Sequence, residues 1–157
     1  MTPAPRCFED FTVGQRFESS GDIVVTAERI TSFAAEFDPQ GFHLADDDDS
    51  RASIFGGLVA SGWHTAAVAM RLIVDSDLGL GQGAGMAVES MRWRTPVRPG
   101  DSLRAEGEVT ATRPSRSRAD RGLVTFRVTV SNQRKEPVLE ATHVVLVLRR
   151  GALPSPG

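Results

Sequence analysis

Residues 62–74 read GWHTAAVAMRLIV. Apart from His64, Thr65 and Arg71, every residue after the glycine is apolar, and these positions run round the whole circumference of a helix instead of along one stripe. A helix that is apolar on all sides has to be buried on all sides. In a chain of 157 residues another layer must wrap it, and the many alanines suit close approach by that layer. Ser61 or Ser53 supplies an N-cap for the helices that begin here.

The wrapping layer lies downstream. Residues 86–97 are extended around Met91 and Trp93, and Pro99-Gly100-Asp101 makes a turn. In SLRAEGEVTAT, Leu103, Ala105, Gly107, Val109 and Ala111 face one way and Ser102, Arg104, Glu106, Glu108 and Thr110 the other. A polar hairpin tip, TRPSRSRADRG, leads into LVTFRVTVSN, where Val124, Phe126, Val128 and Val130 share a face; EPVLEATHVVLVLRR is a last long strand. Strands joined by short turns form an antiparallel sheet. Upstream, FEDFTVGQRFES holds a turn and a short extended piece. A helix follows, capped by Thr26, carrying Ile30, Phe33, Ala34 and Phe37 at helical spacing, and ended by Pro39. The fold class is α+β, with an antiparallel sheet curled around one long central helix. The length indicates a single domain over 1–157 with loose ends at 1–7 and 151–157.

A net charge of -2 gives no electrostatic reason to expect nucleic acid. No apolar run is long enough for a membrane span, and the first residues carry no signal core, so the default location is the cytoplasm. Cys7 is the lone cysteine, placed in the loose N-terminal end with no expected role.

The chemistry concentrates in FDPQGFHLADDDD, Phe37 to Asp49. Asp38 sits at a helix exit and His43 in the loop beyond it. A carboxylate and an imidazole that share one water can act as acid and base together. On residue types alone the bland reading also stands: an Asp after a helix is commonly a turn former, and a loop histidine is commonly exposed. Asp46 to Asp49 read as a solvated run at a helix start, because adjacent carboxylates cannot converge on one ion and the spacing is not that of a calcium loop. No metal is expected.

This order of features, FDPQGFHLADDDDSRASIFGGLVASGWHTAAVAMRL followed by MRWRTPVRPGDSL, resembles the MaoC-like dehydratases, which have the hotdog fold and include the R-specific enoyl-CoA hydratases. Asp38 and His43 stand at the spacing of the family's Asp-x-Asn-Pro-aliphatic-His motif, and Gly62 matches the glycine that opens the central helix. The resemblance implies Asp38 and His43 as the acid/base pair and the Gly62 N–H as donor to the thioester oxygen. The expected substrate is an acyl-CoA or acyl-carrier-protein thioester, with coenzyme A as part of the substrate and no separate cofactor. It also implies a homodimer, or a higher assembly of such dimers, with pockets at the dimer interface. Ser61, Trp63, His64 and Phe42 are the expected substrate contacts, with a packed core role the alternative for His64 and a core or dimer contact for Trp63 and Trp93. The departures are Gln40 for Asn, Gly41 for Pro, Phe42 for an aliphatic residue and Ser61 for His. Ala67 stands where some members carry a hydroxyl that supports the aspartate.

His143, in the last strand, has no motif partner and reads as structural. Arg113, Arg116, Arg118 and Arg121 form a basic hairpin, which is either solvated or a contact for coenzyme A phosphates. Two other functions fit the residues. One is a non-catalytic or heteromeric partner subunit of a MaoC-like hydratase. The other is a hotdog thioesterase, which usually places a carboxylate on the central helix, where residues 62–74 have none.

Overall fold

A computed structural model describes residues 6–80 and 83–152. A 3-10 turn at Phe8–Asp10 precedes β1 (Arg16–Glu18) and β2 (Ile23–Val25). Four helices follow: α1 (Ala27–Phe37), α2 (Gly41–Leu44), α3 (Asp48–Ala52) and α4 (Gly62–Val74). The chain then runs through β3 (Ala84–Trp93), β4 (Asp101–Pro114), β5 (Arg121–Ser131) and β6 (Pro137–Leu148). The sheet is antiparallel throughout, in the order β1-β4-β5-β6-β3, with β2 paired to the start of β4.

The core is where the alternation placed it. Leu103, Ala105, Val109, Val124, Phe126, Val128 and Val130 are wholly buried on the sheet face that meets α4. The β4 pattern holds only to Val109. A bulge between Val109 and Ala111 turns Ala111 outward, because one extra residue reverses every later side chain. Phe17 packs edge-on against Phe126 with ring centroids 5.6 Å apart. It lies across Gly107, where a Cβ would come within 2.3 Å of its ring. That glycine is in the strand so that an aromatic ring can cover it.

The sheet buries only one side of α4. His64, Thr65, Ala69, Leu72 and Ile73 face inward, whereas Trp63, Ala67, Met70 and Val74 form an exposed apolar stripe at spacings of four, three and four. The expectation of a helix wrapped on every side therefore fails within one chain. The stripe continues onto β3, the edge strand, where Met86, Val88 and Trp93 are also exposed.

The described residues that border the two termini make defined contacts. Cys7 is buried, and the Arg6 N–H donates to the Gly79 carbonyl. Gly151 and Ala152 belong to a closing 3-10 turn, and Arg150 pairs with Asp10. Residues 1–5 and 153–157, the rest of the expected loose ends, lie outside the described residues. Among the described residues no helix is long and apolar enough to cross a membrane.

Among the described residues Phe126 is the largest wholly buried side chain, and Phe126→Ala removes its ring contacts with Phe17 and His143. A loss of about 3–5 kcal/mol is expected in chemical denaturation.

Candidate active site

Asp38 is the C-cap of α1, where the backbone leaves the helix (φ -152°, ψ 69°) and its N–H closes on the Ala34 carbonyl. Pro39 forbids another helical turn. The chain restarts at once as α2, with Gln40 as N-cap, so His43 sits in a short helix and not in a loop. It is also buried, contrary to the usual fate of a loop histidine. Its Nδ1 lies 2.7 Å from the Val59 carbonyl oxygen. A carbonyl only accepts, so Nδ1 carries the hydrogen and neutral His43 keeps Nε2 as its free lone pair. That nitrogen faces Asp38 Oδ2 at 3.4 Å, longer than a good hydrogen bond.

Asp38 is held by two other donors. Ser61 Oγ donates to Oδ2 at 2.7 Å and Gln40 Nε2 donates to Oδ1 at 2.8 Å. The Ser61 bond, then the Gln40 bond, outweigh partial burial and hold the carboxyl below its ordinary range, with the nearby imidazole adding to the effect. The pair therefore offers two adjacent acceptors, an ionised carboxylate and a bare imidazole nitrogen. They face a cavity of about 520 Å³. Phe42, Phe55, Trp63 and Trp93 form much of its wall, and the segment Arg94–Val97 completes it.

Gly62, the first residue of α4, lines the same cavity. A Cβ there would come within 2.8 Å of the Trp93 indole, whose Nε1–H donates to the Gly62 carbonyl at 2.8 Å. Close packing of Trp93 thus requires this glycine. As one of the first N–H groups of the helix, its own N–H has no acceptor within α4.

The residues named from the sequence divide into two groups. Asp38, Phe42, His43, Gly62 and Trp63 meet around the cavity. Ser61 and His64, expected to touch substrate, lie outside the lining. Ser61 is wholly buried behind Asp38 and also caps α4, accepting from the Trp63 N–H at 3.2 Å. His64 points toward α1 and stacks on Phe33 with centroids 4.8 Å apart, which is the packed role. His143 stacks in the core on Phe126. The acidic run separates into different jobs: Asp47 caps α3 through Ser50, while Asp46 and Asp48 pair with Arg51. The basic hairpin is at the far end of β4 from the cavity, roughly 40 Å of strand away. Arg121 there is engaged by Asp120.

Gln40, Ile54, Phe55, Thr65 and Arg94–Val97 were not anticipated in the cavity wall. Gln40 carried a signal, being two residues from Asp38 at a helix exit; the rest arrive through tertiary packing. A second depression, about 350 Å³ on the outer sheet face, is lined by Arg16, Glu18, Glu106 and Arg127 among others and contains no imidazole.

With this geometry the comparison with known proteins becomes specific. Residues 9–132 match the family described as MaoC like domain. The chain belongs to this family. The MaoC-like dehydratase from Rhodospirillum rubrum is 49% identical and superposes with a TM-score of 0.86, covering 92% of this chain and 98% of that one. The uncharacterized protein YdeM of Bacillus subtilis is 32% identical over 90% of this chain and 98% of its own length. Mesaconyl-CoA hydratase of Cereibacter sphaeroides is 30% identical over 99% of this chain, which spans only 45% of that enzyme. The hotdog fold and a place among MaoC-like hydratases and dehydratases follow.

Burial holds the His64 pKa below its ordinary value, with the Arg29 charge adding to the effect, and burial does the same to His143. Unfolding lets both take up protons more readily. Above about pH 6.5 neither state is protonated at these sites and they are neutral to stability. As pH falls below that value the unfolded chain gains protons first, so stability drops. Denaturation midpoints at pH 7.5 and 5.5 should show this loss, and His64→Leu should shrink it without abolishing it, since His143 remains.

Proposed function

We propose that the protein adds water reversibly to a trans-2-enoyl thioester of coenzyme A or an acyl-carrier protein, giving a 3-hydroxyacyl thioester. The observation that carries this reading is the Asp38–His43 pair, 3.4 Å apart at the cavity wall beside the opening of α4. Membership in the family supports it, as does the likeness to a protein named mesaconyl-CoA hydratase.

The chemistry needs one proton removed from water and one delivered to carbon. A water between Asp38 Oδ2 and His43 Nε2 has an acceptor for each hydrogen. As its oxygen bonds to the β-carbon, the pair takes one proton. The π electrons move to the α-carbon and thioester oxygen, and the pair then protonates the α-carbon. If Nε2 holds the proton in transit, the Asp38 carboxylate stabilises the imidazolium. The Gly62 N–H is the donor for the charge on the thioester oxygen. It sits at the positive end of α4 and needs no reorganisation. A thioesterase is disfavoured, because α4 carries no carboxylate.

A homodimer goes with this function. The apolar stripe Trp63, Met70 and Val74 adjoins the unpaired edge of β3, where Met86 and Val88 are exposed. A second copy covers both liabilities by pairing β3 with β3 under two-fold symmetry. Trp63 and Trp93 belong to both the cavity wall and this face, so the pocket is completed at the interface.

Two measurements test this. Asp38→Asn and His43→Ala should each lower turnover of a series from crotonyl- to dodecenoyl-CoA by about a hundredfold or more, non-additively, while Asp46→Asn is nearly silent. Wild-type rates in both dyad variants would remove the mechanism. Val88→Asp should halve the mass seen in light scattering, and a monomeric wild type at micromolar concentration would remove the dimer.

A further inference from the structure

Nothing in α1 fixes the Asp38 carboxylate: it projects from a helix end whose backbone is already non-helical. What fixes it comes from α4. Ser61 Oγ, wholly buried, is 2.7 Å from Asp38 Oδ2 and accepts from the Trp63 N–H at 3.2 Å. A hydroxyl has one hydrogen. With a lone pair committed to the helix N–H, that hydrogen goes to the carboxylate, and the hydroxyl has none to donate elsewhere. We infer that Ser61 is a positioning residue for the reaction, suspending the Asp38 carboxylate from the first turn of α4 while Gln40 orients its second oxygen.

This rests on the reading of Asp38 as half of the acid/base pair, and it answers a difficulty in that reading. Ala67, the position to which the family resemblance assigns a supporting hydroxyl, is exposed on the opposite stripe. Ser61, one residue before Gly62, takes that place from the N-cap. The hydroxyl that holds the base and the backbone donor are then carried by adjacent residues, Ser61 and Gly62, at the start of α4. The ionisable side chain facing the carboxylate is His43 on α2, while Arg94 elsewhere in the cavity lining is paired with Glu140. Ser61 itself is uncharged, so its loss alters hydrogen bonding without adding or removing a charge.

The test uses Ser61→Gly. Glycine is itself a good N-cap, so helix and fold survive while the hydroxyl is lost. Ser61→Thr keeps the hydroxyl. Carbon-13 NMR of labelled aspartate carboxyls, with Asp38 assigned by its loss in Asp38→Asn, reads the titration directly and needs no substrate. Expected in the wild type is an Asp38 midpoint below the ordinary aspartate value. Ser61→Gly should raise it, Gln40→Leu should raise it less, and Ser61→Thr should return it toward wild type. With an enoyl-CoA substrate, Ser61→Gly should lower kcat about tenfold to a hundredfold, the scale of one hydrogen bond to a charged group. KM should change little, and the acid limb of the pH profile should move with the NMR midpoint. An ordinary Asp38 midpoint in the wild type overturns the proposal. So does a kcat loss in Ser61→Gly with the midpoint unmoved, which would make Ser61 a helix cap alone. A midpoint that shifts as expected in a protein inert toward every enoyl thioester upholds the Ser61–Asp38 linkage and refutes the hydratase reading instead.

Discussion

The central helix has more apolar surface than one curled sheet can cover. From that constraint most of the molecule follows. One side of α4 is used to build the core, against Leu103, Val124, Phe126 and their neighbours. The other side remains as a stripe from Trp63 to Val74, continuous with an edge strand whose ten residues are almost all exposed. Burial at about 25 cal/mol per Å² of apolar surface is the dominant favourable term available to such a face. A second copy of the chain is the simplest cover. Because α4 also opens onto the cavity, the site and the uncovered face share Trp63 and Trp93.

The electrostatics of the site are set by backbone groups and neutral side chains more than by ion pairs. The Val59 carbonyl selects the His43 tautomer, and Val59 is itself held by its N–H to the Phe42 carbonyl at 3.0 Å. Ala60 is held in the same way by Val97 at 2.9 Å. These two bonds brace the segment entering α4, and with it the distance between His43 and Gly62. Asp38, by contrast, is set by side-chain donors from two elements. An aspartate that receives two such bonds stays an acceptor through the neutral range.

How much of this was legible in the sequence depended on whether the signal was local. Strand alternation in Leu103–Val109 and Val124–Val130, the Thr26 cap and the stop at Pro39 are one-dimensional patterns, and the fold reproduces them. The half-exposure of α4 was not legible. Composition shows that a helix is apolar all round but not whether its cover comes from the same chain. The β4 bulge was invisible because Thr110 and Ala111 continue the pattern while the backbone does not. Within the site, the spacing of Asp38 and His43 was readable. The burial of His43 was not, since Val59 and Phe55 come from further along the chain. Ser61 was readable as a cap, but the direction of its hydroxyl hydrogen depends on α1 ending beside α4.

The departures from the family motif take on different weights once placed in three dimensions. Gly41, where the motif it resembles has proline, is the first residue of α2, the helix position at which proline is most at home. Gln40 before it is extended (φ -86°, ψ 141°), as a residue before proline must be, and a Cβ at 41 would meet nothing within 4 Å. The glycine therefore preserves the geometry and costs only unfolded-state entropy. Gln40 for asparagine is different in kind. The Gln40 amide bonds the carboxylate of Asp38, so this departure touches the pair itself. Phe42 sets its ring edge-on to His43 at 4.6 Å and to Phe55 at 5.1 Å, closing a cavity wall that an aliphatic residue would leave less filled. Ser61 supplies a hydroxyl from the cap of α4, and Ala67 within the helix has none. Of these departures only Phe42 reshapes the cavity by its bulk. Gln40 and Ser61 hold the Asp38 carboxylate, and Phe42, Phe55, Trp63 and Trp93 form much of the cavity wall.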